Sequence, residues 1–365
     1  MHSKIVGGST AERVINCPGS VALAAQMPPQ VENDYMREGT RLHELMAELV
    51  FETEKARDRI IGRSDLTPDQ EEKIRSALDL FESKIDPDCY LEGDVEARVA
   101  FPWDENIFGT ADVIGYRRDT AVIIDWKFGD GVMVDAEENA QLLFYATAAY
   151  LSGHQAFERC EEVELIIVQP PHLRRWTTTI DRLERFNTDL QRAVKLASQP
   201  DASIVEGSHC RFCPAKAICP AKTGAADRAA RLALENIGAE NLSKYLALAG
   251  TVEDWAAEVR KLAHKALEAG QPVPGWKLVN KRAQRSWIDE KEALAALQTA
   301  APGVSFVELV SPAQAEKALK AKKIKLPDGL TVAVSSGLTI AEESDPRPAA
   351  VNIGQQLVAA LSKLV

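Results

Sequence analysis

The period of hydrophobic and polar positions changes several times along this chain, and each change marks an element. Leu42, Leu45, Met46, Leu49 and Val50 recur at helical spacing, which predicts one long helix over residues 34–55. A shorter helix is expected over 9–25, ahead of Pro28-Pro29, and another from the cap-like pair Thr67-Pro68 to about Ile85. Residues 89–101 alternate as a strand. Two arms rich in β-formers follow, 109–116 and 121–127, and the short polar turn Arg118-Asp119 between them predicts a hairpin. After the turn signal Phe128-Gly129-Asp130-Gly131, residues 135–152 read as a helix, 163–169 and 176–180 as strands, and 181–197 as a helix. Helix, three strands, helix, strand is the order of a layered α/β core with a mixed sheet. Beyond a division at 221/222, an Ala- and Leu-rich helical stretch runs to Ala269 and becomes irregular over 272–289. A linker is expected from about Glu342, before a short amphipathic end.

The hairpin carries the most informative chemistry. With Arg118 and Asp119 in the turn, facing positions sum to 237, so Asp112 faces Asp125, and Lys127 points to the same side as Asp125. Facing carboxylates repel by roughly 0.2–1 kcal/mol, more when buried. The uninterrupted apolar run Val122-Ile123-Ile124 marks a strand buried on both faces, and charges at its end need partners. A divalent cation such as Mg²⁺ or Mn²⁺ would turn the repulsion into attraction. The plain alternative is an exposed carboxylate pair beside a lysine.

A chain of 365 residues has room for about two domains of ~150 residues and for a core that needs no disulfides. The net charge of −11 argues against nonspecific coating of nucleic acid but leaves room for local basic clusters, with Arg57, Arg59 and Arg63, then Lys277, Lys281, Arg282 and Arg285, then Lys317 to Lys325 as candidates. There is no apolar run long enough to span a bilayer and no apolar signal core at the start, so a soluble, cytoplasmic protein is expected, in a bacterium or a phage-infected host.

Cysteine is the second signal. Cys210, Cys213 and Cys219 fall within ten residues, a spacing that in a reducing compartment points to metal. A fourth thiol would come from Cys17, Cys89 or Cys160. Zinc usually uses two short pairs, and only one is present, although His209 could stand in.

These motifs together resemble the PD-(D/E)XK nuclease superfamily, in particular its RecB-like branch, the related iron–sulfur nucleases of CRISPR adaptation, and a phage-associated group of stand-alone nucleases. The match rests on His43 in Glu38-Gly-Thr-Arg-Leu-His43, Asp112 in Gly-Thr-Ala-Asp112, Asp125-Trp126-Lys127, and Gln141-Leu-Leu-Phe-Tyr145. The resemblance implies an αβββαβ nuclease core with an iron–sulfur subdomain over 1–221, and a mainly helical, then mixed, region of unknown role over 222–365. It implies Mg or Mn held by His43, Asp112, Asp125 and the Trp126 carbonyl. Lys127 would orient water or stabilise phosphate charge, while Gln141 and Tyr145, four apart on one helix face, would touch DNA or support Lys127. Ordinary core packing is the alternative for that pair. Glu38 would either support the site or be a charge at a helix start. For the thiols it implies a [4Fe–4S] cluster on Cys17, Cys210, Cys213 and Cys219, with zinc as the alternative; Cys89 and Cys160 would be small core residues.

The implied activity is metal-dependent DNA hydrolysis, as an exonuclease in end processing, recombination or replication. No Gly-x-x-x-x-Gly-Lys-Ser/Thr loop is present, so a helicase, annealing or single-strand-binding partner would be a separate chain. Self-association stays open. The competing readings are a non-catalytic nucleic-acid-binding module that kept the fold, or a scaffold working through its C-terminal half.

Overall fold

The computed structural model describes residues 3, 5–28, 34–87, 91–129, 132–224, 239–300, 311–321, 323–327 and 329–350. The chain divides into two compact units, Met1–Asn241 and Leu242–Val365.

The first unit opens with α1 (Ala11–Asn16) and α2 (Ser20–Ala24) where a single helix over 9–25 was expected. The break is Cys17-Pro18-Gly19. Pro18 lacks an N–H, and Gly19 lies so close to residues 202–204 that a Cβ there would stand 2.6 Å from the Ala202 carbonyl oxygen. The long helix α3 (Asp34–Leu49) stops earlier than its periodicity suggested, and a separate helix, α4 (Glu54–Arg63), follows. Arg57 of α4 explains the stop. It is buried and donates from Nε to the Leu49 carbonyl (2.9 Å) and from Nη2 to the Val50 carbonyl (2.8 Å), and it pairs with Glu82. Arg57 is therefore a helix-end clamp, not part of a basic surface. α5 (Pro68–Leu80) starts as its sequence predicts. Thr67 Oγ1 accepts from Gln70 N, and Gln70 Oε1 accepts from Thr67 N, before the helix runs into a π-helical turn, Phe81–Ile85.

The strands β1 (Glu92–Phe101), β2 (Asp104–Arg117), β3 (Thr120–Trp126), β4 (Glu162–Gln169) and β5 (His172–Thr178) form one sheet in the order 1-2-3-4-5. Only β3 and β4 run parallel, joined through α6 (Ala140–Leu151). α7 (Ile180–Ala197) follows β5. α6 begins five residues later than the expected start at 135, because Asn139 caps it by accepting from Gln141 N and Leu142 N. The hairpin register is the one its turn implies: Val113↔Ile124, Ile114↔Ile123 and Arg117↔Thr120 all sum to 237, with Arg118 in the left-handed region at φ 54°.

Alternation along β3 divides the core in two. Ala121 and Ile123 pack under α1, α6 and α7, while Val122, Ile124 and Trp126 pack under α3, α4 and α5. All are buried, and each large apolar side chain so placed contributes about 1.5–3 kcal/mol. The result is a mixed five-stranded sheet flanked by helices on both faces. Cys160 is half-buried at the edge of this core; Cys89 lies outside the described residues.

The second unit begins within α8 (Ala239–Glu268), and its expected irregular stretch over 272–289 contains β6 (Trp276–Asn280) and β7 (Gln284–Trp287). These pair antiparallel with β9 (Leu338–Glu342) and β8 (Thr331–Val334), respectively. Between them lie α9 (Glu290–Ala300) and α10 (Pro312–Ala321), which bury Leu297, Ala315 and Leu319 together. The segment after Glu342 is not a loose linker as far as Ala350. Arg347 Nη1 donates to the Asn280 carbonyl (3.2 Å) and Ala350 N to the Leu278 carbonyl (2.7 Å), holding it along β6.

Candidate active site

Elements from both faces of the sheet meet at the end of β3. His43 projects from α3 on one face, and Gln141 and Tyr145 from α6 on the other, with Asp112 in β2 and Asp125 and Lys127 at the end of β3 between them. His43 Nδ1 lies 3.1 Å from Asp112 Oδ1, and the ring stands edge-on to Phe128 with centroids 5.5 Å apart. If Nδ1 carries the proton and donates it, Nε2 is the nitrogen left for a ligand. Asp112 Oδ2 accepts from Trp126 N at 2.7 Å, just past the last rung of the β2–β3 ladder, so the carboxylate replaces a backbone partner there. Lys127 N donates to the Val168 carbonyl (2.9 Å), which carries the β3–β4 pairing onward and fixes where the lysine leaves the sheet.

Asp125 is 2% exposed. Its Oδ1 accepts from Gln141 Nε2 (2.9 Å), and its Oδ2 lies 2.6 Å from Lys127 Nζ, off the hydrogen-bond direction, so that this buried oxygen has an ion-pair neighbour but no hydrogen bond. Gln141 joins the group: Oε1 accepts from Lys127 Nζ (3.0 Å), and Nε2 also donates to the Tyr145 hydroxyl (3.1 Å). One acceptor and two donors, each matched, fix the amide orientation. Tyr145 is clasped by glycines; a Cβ on Gly8 would stand 2.5 Å, and one on Gly109 2.8 Å, from its ring.

The electrostatics follow from burial and crowding of like charge. Burial, followed by the charge of Asp112, raises the Asp125 carboxyl above the usual range, with Lys127 acting against it. Burial disfavours a charged His43, but the hydrogen bond to Asp112 and the charges of Asp112 and Asp125 outweigh it, so its pKa is raised. Tyr145 is pushed well up, first by burial and then by Asp125, and remains a phenol.

The donor chemistry, two carboxylates and an imidazole, suits a hard divalent cation. In this conformation the donors engage one another, and among the described residues no three His, Cys, Asp or Glu side chains already converge on one cation position.

A family model described as "Protein of unknown function (DUF2800)" matches residues 2–348. The chain belongs to that family. Among solved structures, SSO0001 is 16% identical, with 59% of this chain and 86% of that one covered at a TM-score of 0.28. An alkaline exonuclease (LHK-Exo) from Laribacter hongkongensis is 9% identical, with 54% and 89% covered and a TM-score of 0.27. The same exonuclease in complex with dAMP gives 10%, 52% and 90%, and 0.23. Likeness at this level is too slight to transfer a role.

In this DUF2800 member the segment 203–208 runs beside Cys17 and α1. Cys17 Sγ accepts from Val205 N at 3.3 Å, Ser203 accepts from Gly19 N, and Ser208 Oγ donates to Glu12. Burial, and then the nearness of Cys210 and Cys219, raises the Cys213 thiol, with Arg13 acting against it. His209 Nε2 lies 2.9 Å from the Val205 carbonyl. Glu38 stands off the site and accepts from Gln70 Nε2 (3.1 Å) on α5. No helix among the described residues is long and apolar enough to cross a membrane.

One residue beside the site was not singled out by its sequence. Glu96 of β1 has φ 47°, and its carboxyl is raised by burial and then by the charge of Asp112, with His43 pulling the other way. Only the pairing of β1 with β2 brings it there.

Proposed function

We propose that the first unit is a divalent-cation-dependent DNA nuclease of the PD-(D/E)XK, RecB-like type, working as an exonuclease at DNA ends in phage-type recombination or replication. The observation that carries this reading is a pair of hydrogen-bonded groups, His43 with Asp112 and Trp126 N, and Gln141 with Asp125, Lys127 and Tyr145, which the backbone of residues 125–127 at the end of β3 joins. Hydrolysing a phosphodiester needs an aligned water and neutralised phosphate charge. A bound Mg²⁺ or Mn²⁺ supplies charge neutralisation and makes bound water more acidic. His43, Asp112, Asp125 and the Trp126 carbonyl would hold it.

The remaining residues position one another. Lys127, set between Asp125 and Gln141, orients water or meets charge on the scissile phosphate. Gln141 holds both partners of that ion pair. Tyr145 keeps its O–H, which leaves a donor for the DNA backbone once it has accepted from Gln141.

The four cysteines Cys17, Cys210, Cys213 and Cys219 hold a [4Fe–4S] cluster in this proposal, with zinc as the alternative. The N–H to sulfur contact at Cys17 and the electrostatic closeness of the other three thiols support it. Such a group would tie residue 17 to the segment from 210 onward, restricting the unfolded chain as a long closed loop does.

The test is degradation of end-labelled single- and double-stranded DNA in Mn²⁺. Wild-type protein should degrade DNA, Asp112→Ala should lose both cation binding and cleavage, and Lys127→Ala should keep the cation and lose most of the rate. Protein that binds DNA but cleaves it under no divalent cation would favour a non-catalytic binding module.

A further inference from the structure

Arg174 and Arg175 are neighbours in β5 with opposite surroundings. Arg175 pairs at 3.2 Å with the buried Glu164, a carboxylate that also holds Arg117. Arg174 leaves the sheet on the other face. Trp176, two residues on, packs against the core under α6 and α7, whereas Leu173 packs against the core under α3, α4 and α5. The Arg174 face is therefore that of Asp125 and Lys127, whose side chains meet Gln141 of α6. The register sets the level. Asp125 pairs with Ile167, and Ile167 with Arg174, so the arginine stands in the same row as Asp125, two strand spacings or about 10 Å away. Its Nε is buried without a hydrogen-bond partner, and among the described residues no carboxylate pairs with it. Arg182 at the start of α7 is, by contrast, held by Glu138. A buried donor without an acceptor is costly, and a guanidinium keeps its charge at every working pH. Turning the group outward to an anion would satisfy both.

We propose that Arg174 binds a backbone phosphate of the DNA, on the Asp125 face of the sheet and beyond the cation site. This rests on the nuclease reading above and extends the path of the substrate across β4 onto β5. Turned toward a phosphate, Nε and one terminal nitrogen form a fork that matches two of its oxygens. At a rise of about 3.4 Å per nucleotide, a 10 Å offset puts that phosphate about three nucleotides from the scissile one. Such a contact holds the strand in place without reading its sequence.

Fluorescence anisotropy of a fluorescein-labelled DNA duplex with a single-stranded tail, titrated with the full chain in EDTA, reads the contact without cleavage. Losing one phosphate contact lowers the steepness of log K against log salt by about 0.7–0.9, which at about 0.1 M salt is roughly a five- to eightfold loss of affinity. Arg174→Met, which keeps most of the stem, should show both changes. Arg174→Lys should keep the steepness and lose part of the affinity, because the charge stays and the fork goes. Neither variant should lower the Tm, since neither gives up a hydrogen bond or ion pair within the protein. Arg75→Met, on α5 across the sheet and already paired with Glu71 and Asp58, should leave the salt dependence as it is. Wild-type affinity and salt dependence in Arg174→Met, an equal loss in Arg75→Met, or weaker binding that tracks a fall in Tm would overturn the inference and leave the nuclease reading standing. Wild-type protein that binds no DNA, in EDTA or in Mn²⁺, would overturn both.

Discussion

Gln141 is the residue whose removal should be felt most widely. In Gln141→Ala, Lys127 loses an acceptor at 3.0 Å, Asp125 a donor at 2.9 Å, and Tyr145 a donor at 3.1 Å. Hydrogen bonds to charged groups contribute about 1.5–3 kcal/mol each and a neutral one about 1 kcal/mol, a gross loss of roughly 4–7 kcal/mol. The Lys127 side chain is 25% exposed, so water replaces part of what it loses, whereas Asp125 at 2% has no such recourse. The expected net cost is ~3 kcal/mol, or roughly 6–12 °C in Tm for a unit of this size. Chemical denaturation would give the first number and a melting curve the second. Cleavage should fall as well, since the lysine loses one of the two contacts that aim it. A loss under about 1 kcal/mol together with unchanged cleavage would refute the network as a working unit.

Arg57→Ala should destabilise by about 2–4 kcal/mol in denaturation, because two buried carbonyls at the end of α3 lose their donors; a neutral result would mean that α3 ends without the clamp. Gly109→Ala would put a Cβ 2.8 Å from the Tyr145 ring, so cleavage should drop several-fold in a variant whose far-UV spectrum is unchanged. Purified protein should be brown, with a broad shoulder near ~400 nm and about four irons per chain, and changing any of Cys17, Cys210, Cys213 or Cys219 to Ala should bleach it while Cys160→Ala should not. Colourless protein with one zinc would install zinc instead.

Much of this was legible from the residues. The β2–β3 register followed from a two-residue polar turn, and the helix start at Thr67 from its capping pattern. The sequence signal failed where polarity or close packing hid the element. α4 is mostly charged and shows little periodicity, and its key residue, Arg57, reads as surface charge until it is seen on the Leu49 and Val50 carbonyls. The start of α6 is set by Asn139, which an apolar run beginning at Ala140 overshadows. Glu96 is exposed like Glu92 and Asp94 and reads as one more surface acid; only the β1–β2 register brings it near the charge of Asp112. The grip of Gly8 and Gly109 on Tyr145 depends on chain crossings that no local pattern encodes.

Asp112→Asn offers the most direct test of the central claim. The amide can keep the Trp126 N–H on its oxygen and donate its NH₂ to His43 Nδ1 once the imidazole proton sits on Nε2, so the local structure survives while the charge is lost. End-labelled DNA incubated with Mn²⁺ should be degraded by wild-type protein and left intact by Asp112→Asn at equal Tm. Degradation by the variant at the wild-type rate would contradict the account.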